Sequence, residues 1–129
     1  MTVKKLEFLV NGALCVVVRR DIWQEGVEAA DYFIESPFNW QGYVGITKDT
    51  SDRWSPRLDW SDSVQQKDFF RVVPGGITFD QDDLGLHLNS KDHDYPRWIG
   101  WDADHSSYWK VDCGEAITHT IALALALTK

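Results

Sequence analysis

The chain has 129 residues, a formal net charge of −7, and hydrophobic and charged fractions of 43% and 26%, which fits one soluble globular domain with its own core. Because an acidic protein repels the phosphate backbone, we do not expect broad nucleic-acid binding. No apolar run reaches the ~20 residues of a membrane-spanning helix, and the N-terminal segment shows no cleavage site of a secretion signal. Cys15 and Cys113 stand alone in the sequence, which suits a reducing compartment, so the sequence predicts a cytoplasmic protein.

The N-terminal segment predicts a β-hairpin. Apolar residues alternate with more exposed positions in LEFLV (6–10). The Asn11-Gly12 pair that follows favours a tight type I′ turn, because both residues tolerate positive φ. The apolar run ALCVVVRR (13–20) is then the expected return strand.

The sequence predicts secondary structure ambiguously for residues 27–35 and clearly for residues 40–47. Residues 27–35 fit either a short helix or an edge strand, and Pro37 ends the element in both cases. WQGYVGIT (40–47) predicts a strand instead. Within it, Gly42 and Gly45 indicate a bulge or a close approach of the backbone to another group.

Residues 48–68 lack a clean hydrophobic period. Because they include large apolar side chains such as Trp54 and Trp60, we predict an ordered loop with a short helix near 61–67 rather than a disordered linker. Further along, the turn and hydrophobicity signals predict these elements in order: a strand or helix end at 69–73, a turn at 74–76, a strand at 77–79, a polar loop at 80–96 with a short strand near 84–88, and a strand at 97–102.

The C-terminal segment combines two patterns. Leucines and Ile121 alternate with alanines, which is a period of two, yet alanine and leucine are among the best helix formers. Asp112 before Gly114-Glu115 is typical of a helix start, so we favour a helix. Residues 1–129 are therefore predicted to form one compact α+β domain, with an N-terminal β-hairpin, a mainly antiparallel sheet, a C-terminal helix and long ordered loops.

The candidate chemistry lies at the end of the strand 97–102, in Asp102, Asp104 and His105. Asp102 and Asp104 would share a face if the strand continued, with Trp101 on the other face. Carboxylate and imidazole groups together can form a metal site or an acid–base pair, and His87 and His93 could join them. The alternative is a solvated loop whose aspartates cap local backbone amides.

Known metal motifs do not fit the chain, so we expect neither a metal nor a cofactor. Residues 80–91 begin like a calcium-binding EF-hand loop, with Asp at the first and third positions and Gly at the sixth. However, Lys91 stands at the twelfth position, where a bidentate Glu is required. Neither cysteine has the spacing of a zinc site.

The seven tryptophans have two interpretations. Trp98 and Trp101 flank a strand, where core packing is expected for at least one of them. Trp54, Trp60 and Trp109 lie in polar surroundings, where they either cover the core edge or form a stacking or partner surface. A nucleotide ligand therefore stays open, because aromatic faces stack on nucleobases.

Three motif blocks, WQGYVGITKD, PGGITFD and RWIGWDADHS, resemble in this order a family of small phage and prophage proteins with no settled activity. In that family a GYVGV-like strand precedes an HGGLTY- or HGGITF-like strand, and a WWIGFDCAH-like strand leads to a C-terminal helix. The resemblance implies motif roles for six residues here: Gly75, Gly76, Trp98, Gly100, Asp102 and His105. Pro74 departs from the pattern, because it stands where the family usually has His, and this removes a candidate ligand.

Two classes of function follow. The favoured one is a binding protein of phage or mobile-element type that acts against a host defence. It would block a host defence protein, as an anti-CRISPR protein does, or sequester a nucleotide-like signal. The expected binding residues are Gly75, Gly76, Trp98, Trp101, Asp102, Asp104 and His105. The alternative is a small hydrolase, metal-dependent or not, that uses Asp102 and His105. The sequence leaves self-association into a homo-oligomer open.

Overall fold

A five-stranded antiparallel sheet packed against a C-terminal helix forms the described part of the protein. The computed structural model describes residues 5–19, 40–54, 72–73, 76–82, 84, 95–101 and 111–129. Its strands are β1 (Lys5–Val10), β2 (Ala13–Arg19), β3 (Trp40–Ile46), β4 (Phe79–Gln81) and β5 (Arg97–Trp101), and its helices are α1 (Lys48–Arg53) and α2 (Cys113–Thr128). The strand order is β1-β2-β3-β5-β4. The α+β fold predicted from the sequence is confirmed.

The N-terminal hairpin forms as its sequence predicts. Asn11 and Gly12 have φ values of 50° and 80°, the positive values that a type I′ turn requires. Exposed and half-buried residues alternate along β1, whereas every residue of β2 is buried. The hairpin therefore places β1 at the edge of the sheet and β2 inside it.

The sheet is buried on both of its faces over β2, β3 and β5. Cys15 and Val17 belong to the core cluster that includes α2. Their neighbours Val16 and Val18 face the opposite way, into a second cluster with Tyr43, Trp98 and Leu84. Burial on both faces explains why these strands are nearly continuous apolar runs rather than alternating ones.

Helix α2 settles the conflict between the two C-terminal patterns in favour of helical packing. The Asp112 carboxylate accepts a hydrogen bond from the Glu115 amide at 2.8 Å and caps the helix. The buried side chains recur at helical spacing: Ala116, Thr120, Leu123, Ala124 and Leu127. Leu125 falls outside this stripe and is 47% exposed. Among the described residues, no helix is both long and apolar enough to cross a membrane.

The sequence predicted an ordered loop from residue 48 onward, but the structure has helix α1 there. The prediction is therefore wrong for the first residues of the segment 48–68. Thr47 caps the helix by accepting a hydrogen bond from the Thr50 amide at 3.4 Å. Lys48 and Asp52 form an i,i+4 salt bridge on its surface at 3.1 Å. The C-terminal ends of the two helices are joined, because Trp54 Nε1 donates to the Leu127 carbonyl at 2.9 Å. Trp54 therefore covers the core edge.

Strand β4 begins later than the sequence predicted. The expected strand was 77–79, but the ladder runs through Phe79–Gln81, with Asp80 opposite Ile99 and Gln81 opposite Trp98. Its last two residues were expected to belong to a polar loop. The other expectations for 27–35, 61–67 and 69–71 lie outside the described residues.

A buried ion pair holds β4, β5 and α1 together. The Arg97 guanidinium donates to both carboxylate oxygens of Asp80, at 2.8 and 2.6 Å. Its Nη1 donates to the carbonyl of Trp54 at 2.9 Å and to that of Ser51 at 3.4 Å. The side chains of Arg97 and Asp80 are only 3% and 6% exposed. The pair explains why β4 includes Asp80 and Gln81 rather than ending at Phe79. Asp80 must lie beside β5 for its carboxylate to accept both hydrogen bonds from Arg97.

Gly42 allows α2 to approach the sheet closely. Trp101 lies opposite Gly42 in the ladder, and its indole nitrogen donates to the Thr120 hydroxyl on α2 at 3.1 Å. A Cβ atom at position 42 would overlap Thr120 Oγ1 and lie 2.7 Å from Trp101 Nε1. Since the register around Gly42 runs without a bulge, the close approach is the interpretation of this glycine that the structure supports.

We expect Arg97→Met to lower the free energy of unfolding by about 3–5 kcal/mol, because it leaves the Asp80 carboxylate buried without its cation. Urea denaturation measures the loss. The control is Lys48→Met, which breaks the exposed pair with Asp52 and should change the same free energy by less than about 1 kcal/mol. Losses of similar size in the two variants would contradict the structural role of Arg97.

We expect Gly42→Ala to destabilise the protein by about 1–3 kcal/mol, because the added methyl forces α2 away from the sheet. Gly114→Ala is the matched control, since a Cβ there lies no closer than 3.5 Å to its surroundings. That second change should be neutral or stabilising by up to about 1 kcal/mol, because alanine favours the helix. Both values come from denaturation curves, and a neutral Gly42→Ala would refute the close contact.

Candidate functional site

Three of the binding residues predicted from the sequence lie within the described residues. Trp98 and Trp101 are both buried in β5, on opposite faces of the sheet, so the expectation that at least one packs in the core is confirmed. Gly76 is buried at φ 80° and its amide donates to the Val73 carbonyl at 3.1 Å. A glycine is favoured at position 76 because other residues rarely adopt such a positive φ.

The remaining sequence candidates belong to segments on either side of β5. Gly75, Asp102, Asp104 and His105 lie outside the described residues, as do His87 and His93. The covalent chain still relates three of them to the sheet, because residues 102–110 connect Trp101 at the end of β5 with Val111. The Val111 carbonyl accepts a hydrogen bond from the Trp40 amide at 3.2 Å. The segment therefore begins and ends beside the start of β3.

We call this part of the fold the Trp40 end of the sheet. It comprises the last residue of β2, the first residues of β3, the last residue of β5 and the first half of α2. The ladder sets Arg19 opposite Trp40 and Gly42 opposite Trp101. Three strand ends and the first half of α2 thus meet where the sheet stops. At such positions, loops commonly present residues to ligands.

Buried polar side chains concentrate at the Trp40 end. Arg19, Gln41 and Thr120 are all buried there. The Gln41 amide nitrogen donates to the Tyr43 hydroxyl at 2.9 Å, and Thr120 accepts from Trp101. The ring of His119, on the same turn of α2, meets Trp101 edge to face with centroids 5.6 Å apart. Arg19 and Thr120 lie on the α2 side of the sheet, whereas Gln41 lies with Tyr43 on the opposite side.

Arg19 is the charged residue among the buried polar side chains of the Trp40 end. It is 2% exposed, and it shares the α2 side of the sheet with Cys15 and Val17, because alternate residues of a strand point the same way. A buried guanidinium is costly unless its charge is balanced by an anion or by oriented acceptors. Arg19 is held by interactions within the protein, and its positive charge lies at the Trp40 end of an acidic molecule.

The sequence did not single out Arg19, which reads there as half of a basic doublet with Arg20. A signal was nevertheless present. Arg19 follows the apolar run 13–18 without a turn residue between them, and the alternation of the strand places it on the same face as two core residues. An arginine that alternates with core residues of a strand indicates a buried cation, which a pair of neighbouring arginines alone does not.

The two thiols are poor nucleophiles. Cys15 is fully buried, and burial raises the pKa of its thiol to about 12. Cys113 lies in the first turn of α2, where burial and then the neighbouring Asp112 carboxylate raise its pKa above the ordinary value. Proximity to the helix N-terminus therefore does not activate Cys113. Both cysteines are free rather than disulfide-bonded.

Metal binding finds no support in the part of the chain that the structure describes. Within it, no three His, Cys, Asp or Glu side chains come together as a metal site. Asp80, the first residue of the run that begins like a calcium loop, gives both carboxylate oxygens to Arg97. The ion pair therefore occupies the group that a calcium ion would need first.

We expect Asp112→Asn to move the pH midpoint for alkylation of Cys113 by iodoacetamide to lower pH. Removing the carboxylate charge favours the thiolate and lowers the thiol pKa, while asparagine still caps the helix. Mass spectrometry of the Cys113 peptide follows the rate. Glu115→Gln is the control, since it removes a charge from the same turn, and an equal shift in both variants would contradict the assigned cause.

Comparison with known proteins gives no relative from which function could be inferred. No family model matches the chain, and neither a curated protein nor a solved structure matches it significantly. The likeness of the three motif blocks to small phage proteins therefore stays a prediction from the sequence. The function has to be argued from the residues of the Trp40 end.

Proposed function

We propose that the protein is a small binding protein of phage or mobile-element type that acts in the cytoplasm of a bacterial host against a defence system. Of the two modes that the sequence leaves open, sequestering a nucleotide-like anionic signal has the better support, and blocking a host protein is the other. The phage origin rests on the resemblance of the motif blocks at 42–46, 75–79 and 98–105.

The observation that carries this proposal is the buried guanidinium of Arg19 at the Trp40 end. A guanidinium presents planar donors that match the oxygens of phosphate or carboxylate groups. The segment that holds Asp102, Asp104 and His105 begins and ends at the same place. A ligand bound at the Trp40 end would lie beside the guanidinium of Arg19.

Binding is favoured over hydrolysis by the kind of groups present. The guanidinium of Arg19 and the hydroxyl of Thr120 can hold and orient a ligand, and the imidazole of His119 is packed edge to face against Trp101. A hydrolase would need an acid–base pair within reach of a substrate. The candidates for that pair, Asp102 and His105, are the residues of the alternative hypothesis.

We expect purified protein to bind at least one member of a panel of mono-, di- and cyclic oligonucleotides, detected as a rise in Tm and measured by calorimetry. Arg19→Gln should weaken that binding at least about tenfold, because a charge-assisted hydrogen bond contributes about 1.5–3 kcal/mol. Lys48→Gln removes the same charge from the opposite end of β3 and should leave binding unchanged. Arg19→Lys keeps the charge and replaces Arg19→Gln if that variant does not fold.

Three results would count against the proposal. The panel could give no binding, or the two charge-removing variants could weaken binding equally. The third result is steady release of product from the panel that stops with Asp102→Ala, which would support the hydrolase instead. Native mass spectrometry of protein purified from cells with defence systems tests the other mode, because a retained host protein would show as added mass.

A further inference from the structure

We propose that two copies of this chain associate through β1, so that their sheets join across a two-fold axis into one continuous antiparallel sheet. Strand β1 lies at the end of the strand order and pairs with β2 along its whole length. In the described part of the chain no strand lies on its other side. Its outer backbone groups are therefore a template for another strand.

Two large hydrophobic side chains are exposed among the described residues, and one of them lies on this edge strand. Leu9 is 67% exposed on the face of β1 that points away from α2, and Leu125 is 47% exposed on α2. On the α2 side, Leu6, Phe8 and Val10 are only partly buried against the core. The β1 edge is therefore apolar on the α2 side, while its other face carries Leu9 together with Lys5 and Glu7.

The C-terminal end of helix α2 lies beside the hairpin turn that joins β1 and β2. Asn11 Nδ2 in the hairpin turn lies 3.4 Å from Thr128 Oγ1, whereas His119 lies on the opposite flank of α2, against Trp101 of β5. The helical period places Ile117 and Ile121 on the same flank as Thr128. The apolar surface of the β1 edge thus continues from the strand onto the helix.

Charge explains why a second copy fits this edge. Each chain carries a net charge of −7, so two copies repel each other across most of their surfaces. Residues 116–128 of α2 contain no charged side chain. On β1 the two charged residues neutralise each other, because Lys5 Nζ and Glu7 Oε1 form a salt bridge at 3.1 Å. The β1 edge therefore carries no net charge, although the molecule as a whole is acidic.

The two-fold axis restricts how the strands can pair. Directly opposed residues of an antiparallel pair share a face, so one residue must lie opposite its own copy. Lys5 or Glu7 at that position would set like charges against each other. Phe8 at the axis avoids this and pairs five of the six residues of β1, setting Phe8 against Phe8, Leu6 against Val10 and Glu7 against Leu9.

The pairing of Glu7 with Leu9 gives a test by charge. Leu9→Glu places two carboxylates opposite each other on both sides of the axis, and it should raise the dimer dissociation constant at least about tenfold. Leu9→Lys places a cation opposite Glu7 and should preserve the dimer. Leu9 is exposed, so neither change disturbs the core. Sedimentation velocity over a dilution series gives the dissociation constants, with Gln81→Glu on the opposite edge strand as the control.

Cross-linking tests the register directly. In a Cys113→Ser background, mixing Glu7→Cys protein with Leu9→Cys protein should give a disulfide-linked dimer under mild oxidation, while each variant alone should not. A chain that stays monomeric at every concentration would overturn the proposal. So would a dimer that Leu9→Glu and Gln81→Glu affect equally, cross-linking within either single variant, or a host protein bound at β1 in place of the second copy.

Discussion

Burial of the central strands on both faces is the constraint on which the rest of this structure depends. A strand covered on both sides has no face that can leave a polar side chain in water. Each polar group on β3 and β5 consequently needs a partner within the protein. Gln41 bonds to Tyr43, Trp101 bonds to Thr120, and Arg97 bonds to Asp80 and to carbonyls at the end of α1. These bonds fix the helices and the edge strand relative to the sheet.

The parts of the fold that could be predicted from the sequence are those fixed by neighbouring residues. The hairpin follows from Asn11-Gly12 between two apolar runs, and α2 follows from its capping aspartate and from the helical propensity of alanine and leucine. The parts that could not be predicted depend on distant residues. Strand β4 extends to Gln81 because Asp80 meets Arg97, seventeen positions away. Helix α1 is too short for a hydrophobic period to reveal it.

The candidate site also combines features that neighbouring residues determine with features that depend on distant residues. The sequence could indicate the strand ends where Trp98 and Trp101 lie, but not that both indoles would be buried. It also could not show that the last residue of β2 and the first of β3 meet beside Trp101, since that contact joins segments far apart in the chain. The two buried arginines show this difference. Arg97 bonds to β4 and to the end of α1, whereas Arg19 lies at the end of β2, opposite the first residue of β3.

The contacts at the end of α2 bear on the order in which the protein folds. The last turn of this helix is bonded to Trp54 and Arg53, and it approaches the hairpin turn at Asn11, so its partners lie 73, 76 and 117 positions earlier. Such distant contacts slow folding, because long loops must close before the contacts form. During synthesis on a ribosome, one face of β2 and β3 stays uncovered until α2 emerges. A chaperone that shields exposed valines should therefore matter most in that interval.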